Sequence, residues 1–304
     1  MPFAPTLHRI STNVRFLTGA LLFPDVADAL AERLFLTPPP RALPPATFFD
    51  FLDAHASFVE HRGRQLASWR WGPPEAPAVL LVHGWGGYAA QMRGFVAPLL
   101  AAGYRVIAYD QPAHGLSEGR LSALPDFADA LPAIAANYGN RPGGGVHAVI
   151  AHSLGAVALA FAHARGLALE RAVLVSPPSD LVGYSRRFAR WYGMAEPLRR
   201  AMQAATEERF GVRWSEFEIE RLAPRLKAPA LVIHDRGDAV VPWAQGAALA
   251  RTWPGARLLS TDGLGHRRIL ESEPALRAAA DFAGGRSAVA NLASPVLPHP
   301  APLL

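Results

Sequence analysis

Hydrophobic positions along the chain change their period several times, and each change marks an element. Over residues 11 to 36 they recur every three to four positions, with Ala27, Leu30, Ala31, Leu34 and Phe35 on one side. That spacing predicts an N-terminal helical arm, which Pro38-Pro39-Pro40 stops. From residue 57 the period drops to two: "FVEHR" and "LASWRW", on either side of Gly63-Arg64, predict a β-hairpin. Beyond it, short apolar runs at Val79–His83, Arg105–Tyr109, Val146–Ile150, Arg171–Val175, Ala230–His234 and Arg257–Ser260 alternate with helical patterns. Runs that are apolar throughout belong to strands buried on both faces, so the expected fold is α/β, a mostly parallel, doubly wound sheet covered by helices. Functional groups in such a sheet gather in loops beyond the carboxyl ends of the strands.

The alternation lapses once. Residues 177 to 223 give helical patterns without a convincing strand, which predicts a small helical cap inserted over the sheet. The expected organisation is therefore an arm (1–56), a core in two parts (57–176 and 224–283), the cap between them, and a proline-rich, aperiodic tail (284–304).

Composition narrows the chemistry. Of 304 residues half are hydrophobic, enough for a large core, and none is cysteine, which removes disulfides, thiolate nucleophiles and Cys-ligated metals together. The net charge of +5 comes mainly from scattered arginines with no run of like charge, so no nucleic-acid partner is expected. Arg15 and the apolar run after it raise the question of a secretory leader. Asp25 and Asp28 stand where cleavage sites are ordinarily uncharged, so the stretch is read as part of the arm and the protein as cytoplasmic. No apolar run reaches the eighteen or so residues of a membrane span, and no stable membrane insertion is expected. The arm's apolar side is expected to pack on the domain or on a second copy of the chain, giving a homo-oligomer.

Candidate chemistry begins at "AHSLG", residues 151 to 155, where Ser153 lies between an apolar run and a helical pattern. A serine at that junction is either a helix N-cap or a nucleophile pushed outward by a tight turn. Its company favours the second. Downstream, "HDRGDAVVP" presents Asp235 and Asp238, and "GLGH" presents His266, giving the order Ser, acid, His. Asp238, after the turn Arg236-Gly237, is placed to reach the histidine, Asp235 is placed to cap that turn, and Asp180 is a third carboxylate. Upstream, "LLVHGWGG" ends a strand with a loop whose backbone amides face the same edge.

Through "HGWGG", "DQPAHGLSEG", "AHSLG", "HDRGDAVVP" and "GLGH", the chain from about residue 57 to residue 283 resembles the α/β-hydrolase superfamily. The resemblance implies a serine esterase or thioesterase with Ser153 as nucleophile, His266 as base and Asp238 as orienting acid. It further implies the Trp85 and Leu154 amides as the oxyanion hole, a small acyl ester or thioester as substrate, and no cofactor or metal. Two departures from the pattern stand out: Ala151 replaces the first glycine of G-x-S-x-G, and Ala113 precedes His114 where relatives often have glycine.

Other readings compete. Gly84, Gly86 and Ala89 after a strand, with Asp110 after the next, fit a dinucleotide-binding G-x-G-x-x-A, though that reading leaves Ser153, Asp238 and His266 unexplained. The same scaffold without chemistry would be a ligand-binding module. His152 is expected to point away from the serine oxygen, and His83, His114 and Asp110 to brace loops. In the cap, Phe188, Trp191 and Met194 are expected to bind the acyl part, with Arg186, Arg187 and Arg190 as a rim that would favour an anionic leaving portion.

Overall fold

The computed structural model describes residues 24–40, 53–139 and 145–286. The leader question, the first part of the predicted arm and the tail from residue 287 lie outside the described residues. Among the described residues, eight strands form one sheet. The hairpin β1 (His55–His61) and β2 (Arg64–Trp71) is antiparallel, and β2 joins β4 (Arg105–Tyr109) antiparallel. From β4 the sheet is parallel through β3 (Ala78–Val82), β5 (Val146–His152), β6 (Leu169–Val175), β7 (Ala230–Asp235) and β8 (Arg257–Thr261).

Period two explains how the sheet holds two cores. On β3, Ala78, Leu80 and Val82 point into one layer, under α3 (Leu124–Tyr138), α4 (Leu154–Ala164) and α8 (Trp243–Thr252). Val79 and Leu81 point into the other, under α2 (Val96–Ala101) and α10 (Glu273–Ala283). All ten residues of β3 and β4 are buried, which is why β3 reads as an unbroken apolar run and β4 as one after Arg105, whose guanidinium donates to Pro74 O and Tyr138 O. The hairpin reads as alternation because β1 is an edge strand with exposed residues, Phe58 among them at 60%. The strands outrun their apolar cores: β5 continues to His152, and β6 begins at Leu169 through a polar pair, Glu170 and Arg171.

Between β6 and β7 lie α5 (Leu181–Tyr192), α6 (Glu196–Phe210) and the short α7 (Ile219–Leu222). Asp180 caps α5, its Oδ1 accepting the Gly183 amide at 2.6 Å, and Gly193 ends the helix with φ +66°. Packed against this insertion is α1 (Pro24–Leu36). Ala27 and Ala31 of α1 are buried with Phe188, Met194, Leu198, Met202 and Trp214, and Phe35 stacks on Trp214 at 5.5 Å. The described part of the arm thus covers its apolar side with its own chain. Among the described residues no helix is long and apolar enough to cross a membrane.

Candidate active site

β3 lies between β4 and β5, so the chain runs off β3 to one side and later returns on the other. A crevice opens at such a switch point, at the carboxyl ends of the two central strands. The loop after β3 carries Gly84 and Trp85, and the turn after β5 carries Ser153.

Ser153 has φ +53° and ψ −124°, a strained backbone for a residue with a Cβ. Its amide donates to Val175 O at 2.9 Å and its carbonyl accepts the Ala156 amide at 2.9 Å. The tightness is visible at the glycines: a Cβ on Gly84 would stand 2.7 Å from Ser153 Cβ, and one on Gly155 2.6 Å from His83 O. Ala151, by contrast, puts its methyl into the core, where it is fully buried. That is the physical reason alanine serves in place of the first glycine. Ser153 makes no side-chain hydrogen bond to α4. Instead its Oγ lies 3.1 Å from His266 Nε2.

His266 belongs to a short helical turn, α9 (Gly265–Arg268). Its Nδ1 donates to Asp238 Oδ2 at 2.7 Å. The other oxygen of Asp238 accepts the amides of Val240 at 2.8 Å and Val241 at 2.9 Å. Burial works to raise this carboxyl, but hydrogen bonds from His234 and His266, the charge of His266 and the Val241 amide outweigh it and hold it far below the usual carboxylate range. Asp235 faces elsewhere: it accepts the Gly237 amide at 2.9 Å, Thr261 Oγ1 at 2.8 Å and the Leu264 amide at 3.0 Å, so it ties β7, β8 and the loop that presents His266.

The loop after β3 is equally constrained. His83 Nδ1 donates to Gly84 O at 2.8 Å while its Nε2 accepts the Gln111 amide at 2.9 Å. His114 Nε2 accepts the Gly86 amide at 3.0 Å. Asp110 takes the amides of Ala89 and Leu116, with burial pushing its carboxyl up to about 6 against them. Those bonds overturn the dinucleotide reading. The Gly86 and Ala89 amides and the Asp110 carboxylate are already used within the protein, and a 3-10 turn, not an α-helix N-terminus, follows the glycines. The amides of Trp85 and Leu154, however, donate to no other group among the described residues, and both residues line the crevice with Ser153 and His266.

His152 turns from the serine, its Nε2 donating to His266 O at 2.9 Å. Burial first, then the neighbouring His266, push it down to about 3, so it is neutral at ordinary pH. Over the crevice stand Leu181, Tyr184 and Arg187 of α5, with Val212 and Phe217 beyond α6, and Phe35 and Leu36 of α1 complete the wall. The expected acyl contacts Phe188, Trp191 and Met194 are not among the lining residues. Phe188 and Met194 are buried against α1, Trp191 packs at the edge of that cluster, and α5 ends at Tyr192, so Met194 does not continue the helical face. Of the three cap arginines only Arg187 lines the crevice, and Arg186 and Arg190 are exposed outside it.

Sequence reasoning passed over His234, whose Nε2 lies 3.0 Å from Val241 O and 3.4 Å from Asp238 Oδ2. A histidine closing the apolar run "ALVIH" was its signal. It also passed over Leu36, which lies outside the face the arm's periodicity marked, and Arg267, flagged by nothing except adjacency to His266.

A doubly wound sheet with a polar site at the carboxyl edge of its central strands defines a broad α/β class. Within it, the chain belongs to the alpha/beta hydrolase family, whose model matches residues 79–280. It is similar to the bifunctional esterase/perhydrolase of Acinetobacter calcoaceticus, 24% identical over 251 residues that span 64% of this chain and 87% of that one. Among solved structures, the Pyrococcus furiosus esterase Pf2001 shares its fold with a TM-score of 0.63 at 21% identity, over 82% of this chain and 99% of that chain. The thioesterase domain from the curacin biosynthetic pathway does so at 0.55 and 18% identity, over 76% and 99%. The matched family segment begins at β3, so Phe35 and Leu36 reach the crevice from outside it.

Proposed function

We propose that the protein is a serine hydrolase that cleaves a carboxylic ester or thioester through an acyl-serine intermediate. The observation that carries this reading is the continuous series Ser153 Oγ, His266 Nε2, His266 Nδ1, Asp238 Oδ2, opening on a crevice with two unused amides. His266 takes the Ser153 proton as the oxygen attacks the acyl carbon, and the amides of Trp85 and Leu154 receive the oxyanion. His266 then protonates the departing alkoxide or thiolate, and water repeats the steps to release the acid. Asp238, held ionised, keeps the His266 proton on Nδ1 and leaves Nε2 free to accept. A series of p-nitrophenyl acyl esters tests the reading, together with a fluorophosphonate probe and a peptide map. Turnover with labelling at Ser153 is expected, and turnover with labelling elsewhere overturns the assignment.

Two substitutions probe the geometry. Gly84→Ala sets a methyl against Ser153 Cβ and His152 O, at 2.7 and 3.0 Å. Since a displacement near 1 Å of a reacting group costs roughly 100-fold, kcat is expected to fall by about that factor, with little change in far-UV circular dichroism. Leu36→Phe thickens the wall that α1 lends to the crevice. The kcat/KM for an octanoyl ester is expected to drop about 10-fold relative to an acetyl ester, a shift that leaves the short substrate as the internal control.

A further inference from the structure

The crevice has an uneven charge. Among the described residues that line it there is no aspartate and no glutamate, whereas two arginines do, Arg187 from α5 and Arg267 from α9. Neither makes an ion pair within the described residues, although ten other arginines do. The guanidinium of Arg187 lies over the Tyr184 ring, 5.9 Å from its centre, which orients it without neutralising it. Arg267 follows His266 directly, so its backbone is fixed by the same short helix. Asp238, the acid of the proposed series, is buried behind His266 and spent on it. The remaining wall is mostly apolar, with Leu36, Leu181, Val212 and Phe217, and its other polar groups, from Gln91, Ser122 and Thr206, are uncharged. The crevice thus pairs apolar surface with two unneutralised cations.

From this arrangement we infer that the preferred substrate carries an anionic group, carboxylate or phosphate, bound by Arg187 and Arg267 while the uncharged acyl or alkyl part lies against the apolar wall. The inference rests on the hydrolase reading for the name "substrate", and its binding arm below stands without it. Guanidinium groups bind carboxylates and phosphates through charge-assisted hydrogen bonds. Each such bond is worth enough for about a 10-fold preference over an uncharged analogue.

The anion has two sources, and paired substrates distinguish them. For the acyl side the pair is p-nitrophenyl hemiglutarate and the same compound methylated on its free carboxylate. For the leaving side it is butyryl coenzyme A and butyryl N-acetylcysteamine. Wild type, Arg187→Gln/Arg267→Gln and the control Arg186→Gln/Arg190→Gln are each assayed at low and high salt. The readout is the anionic-to-neutral ratio of kcat/KM within each pair. The same ratio is taken from dissociation constants in a Ser153→Ala background, where no turnover is required. In one pair the ratio is expected to exceed one by about 10-fold at low salt, to shrink with salt, and to collapse in the Arg187/Arg267 variant but not in the control. Ratios near one in both pairs overturn the inference. So does an equal fall in the control, which would assign the preference to net surface charge. Absence of turnover and of Ser153 labelling, with the binding preference intact and lost in the Arg187/Arg267 variant, would strike the hydrolase reading and leave the anion site standing.

Discussion

Ser153→Ala is expected to lower kcat on p-nitrophenyl esters by roughly three orders of magnitude or more, the usual consequence of removing an activated nucleophile. KM and fold should change little. Alanine deletes only Oγ, and among the described residues that atom hydrogen-bonds to His266 and not to the helix it precedes. The backbone at this position gives a second readout. At φ +53° and ψ −124° a residue with a Cβ is strained by about 1–3 kcal/mol, against about 0.4–1 kcal/mol for the extra unfolded-state freedom of glycine. Ser153→Gly should therefore be as inactive as Ser153→Ala but melt at a higher temperature. If Ser153→Gly melts no higher, the turn is not holding strain in reserve for an outward-pointing oxygen. If Ser153→Ala keeps ordinary turnover, the nucleophile is another group.

That strain could not be read from the sequence, although the position could. A tight turn was legible at "AHSLG" because small residues flank a serine between an apolar run and a helix. Ala151 stood out as a departure from the glycine pattern, and the structure shows its methyl turned into the core while the close approach falls on Gly84 and Gly155. The parallel strands were legible for a related reason: β3 and β4 are buried on both sides, and apart from Arg105 at the start of β4 they hold only hydrophobic residues. Their neighbours were read short where polar residues carry the ladder onward, as at His152 and Glu170.

The crevice wall was less legible, because helical spacing says which residues share a face and not what covers that face. Phe188 was a sound choice for a buried aromatic in the inserted helix, yet α1, more than 150 positions away in sequence, covers it. The arm that supplies this cover also brings Phe35 and Leu36 to the site. Long-range pairing of that kind leaves no local period. The same holds for His234 and Asp238, which meet only because β7 ends in a turn that folds the aspartate back over the strand.

The two aspartates of "HDRGD" separate positioning of the histidine from support of its loop, and asparagine at each should show which is which. In Asp238→Asn the oxygen is retained by the Val240 and Val241 amides, so the new NH2 group faces the Nδ1–H of His266. Two donors cannot face each other at 2.7 Å. The imidazole is then driven to the tautomer with its proton on Nε2, where it cannot accept from Ser153, and kcat is expected to fall by about four orders of magnitude. His234 Nε2, 3.4 Å from the same Asp238 oxygen, loses its acceptor there as well. The variant should regain rate as pH rises, because hydroxide then takes over part of the proton removal that His266 no longer performs. Asp235→Asn instead turns an NH2 group toward the Leu264 amide or the Gly237 amide, a cost of about 1–3 kcal/mol paid by the loop before His266. Its signature should be a lower melting temperature with a loss in kcat of about 10-fold or less and an unchanged pH profile. A larger kcat loss for Asp235→Asn than for Asp238→Asn, in variants that are both folded, would exchange the two roles and move the acid of the series to the end of β7.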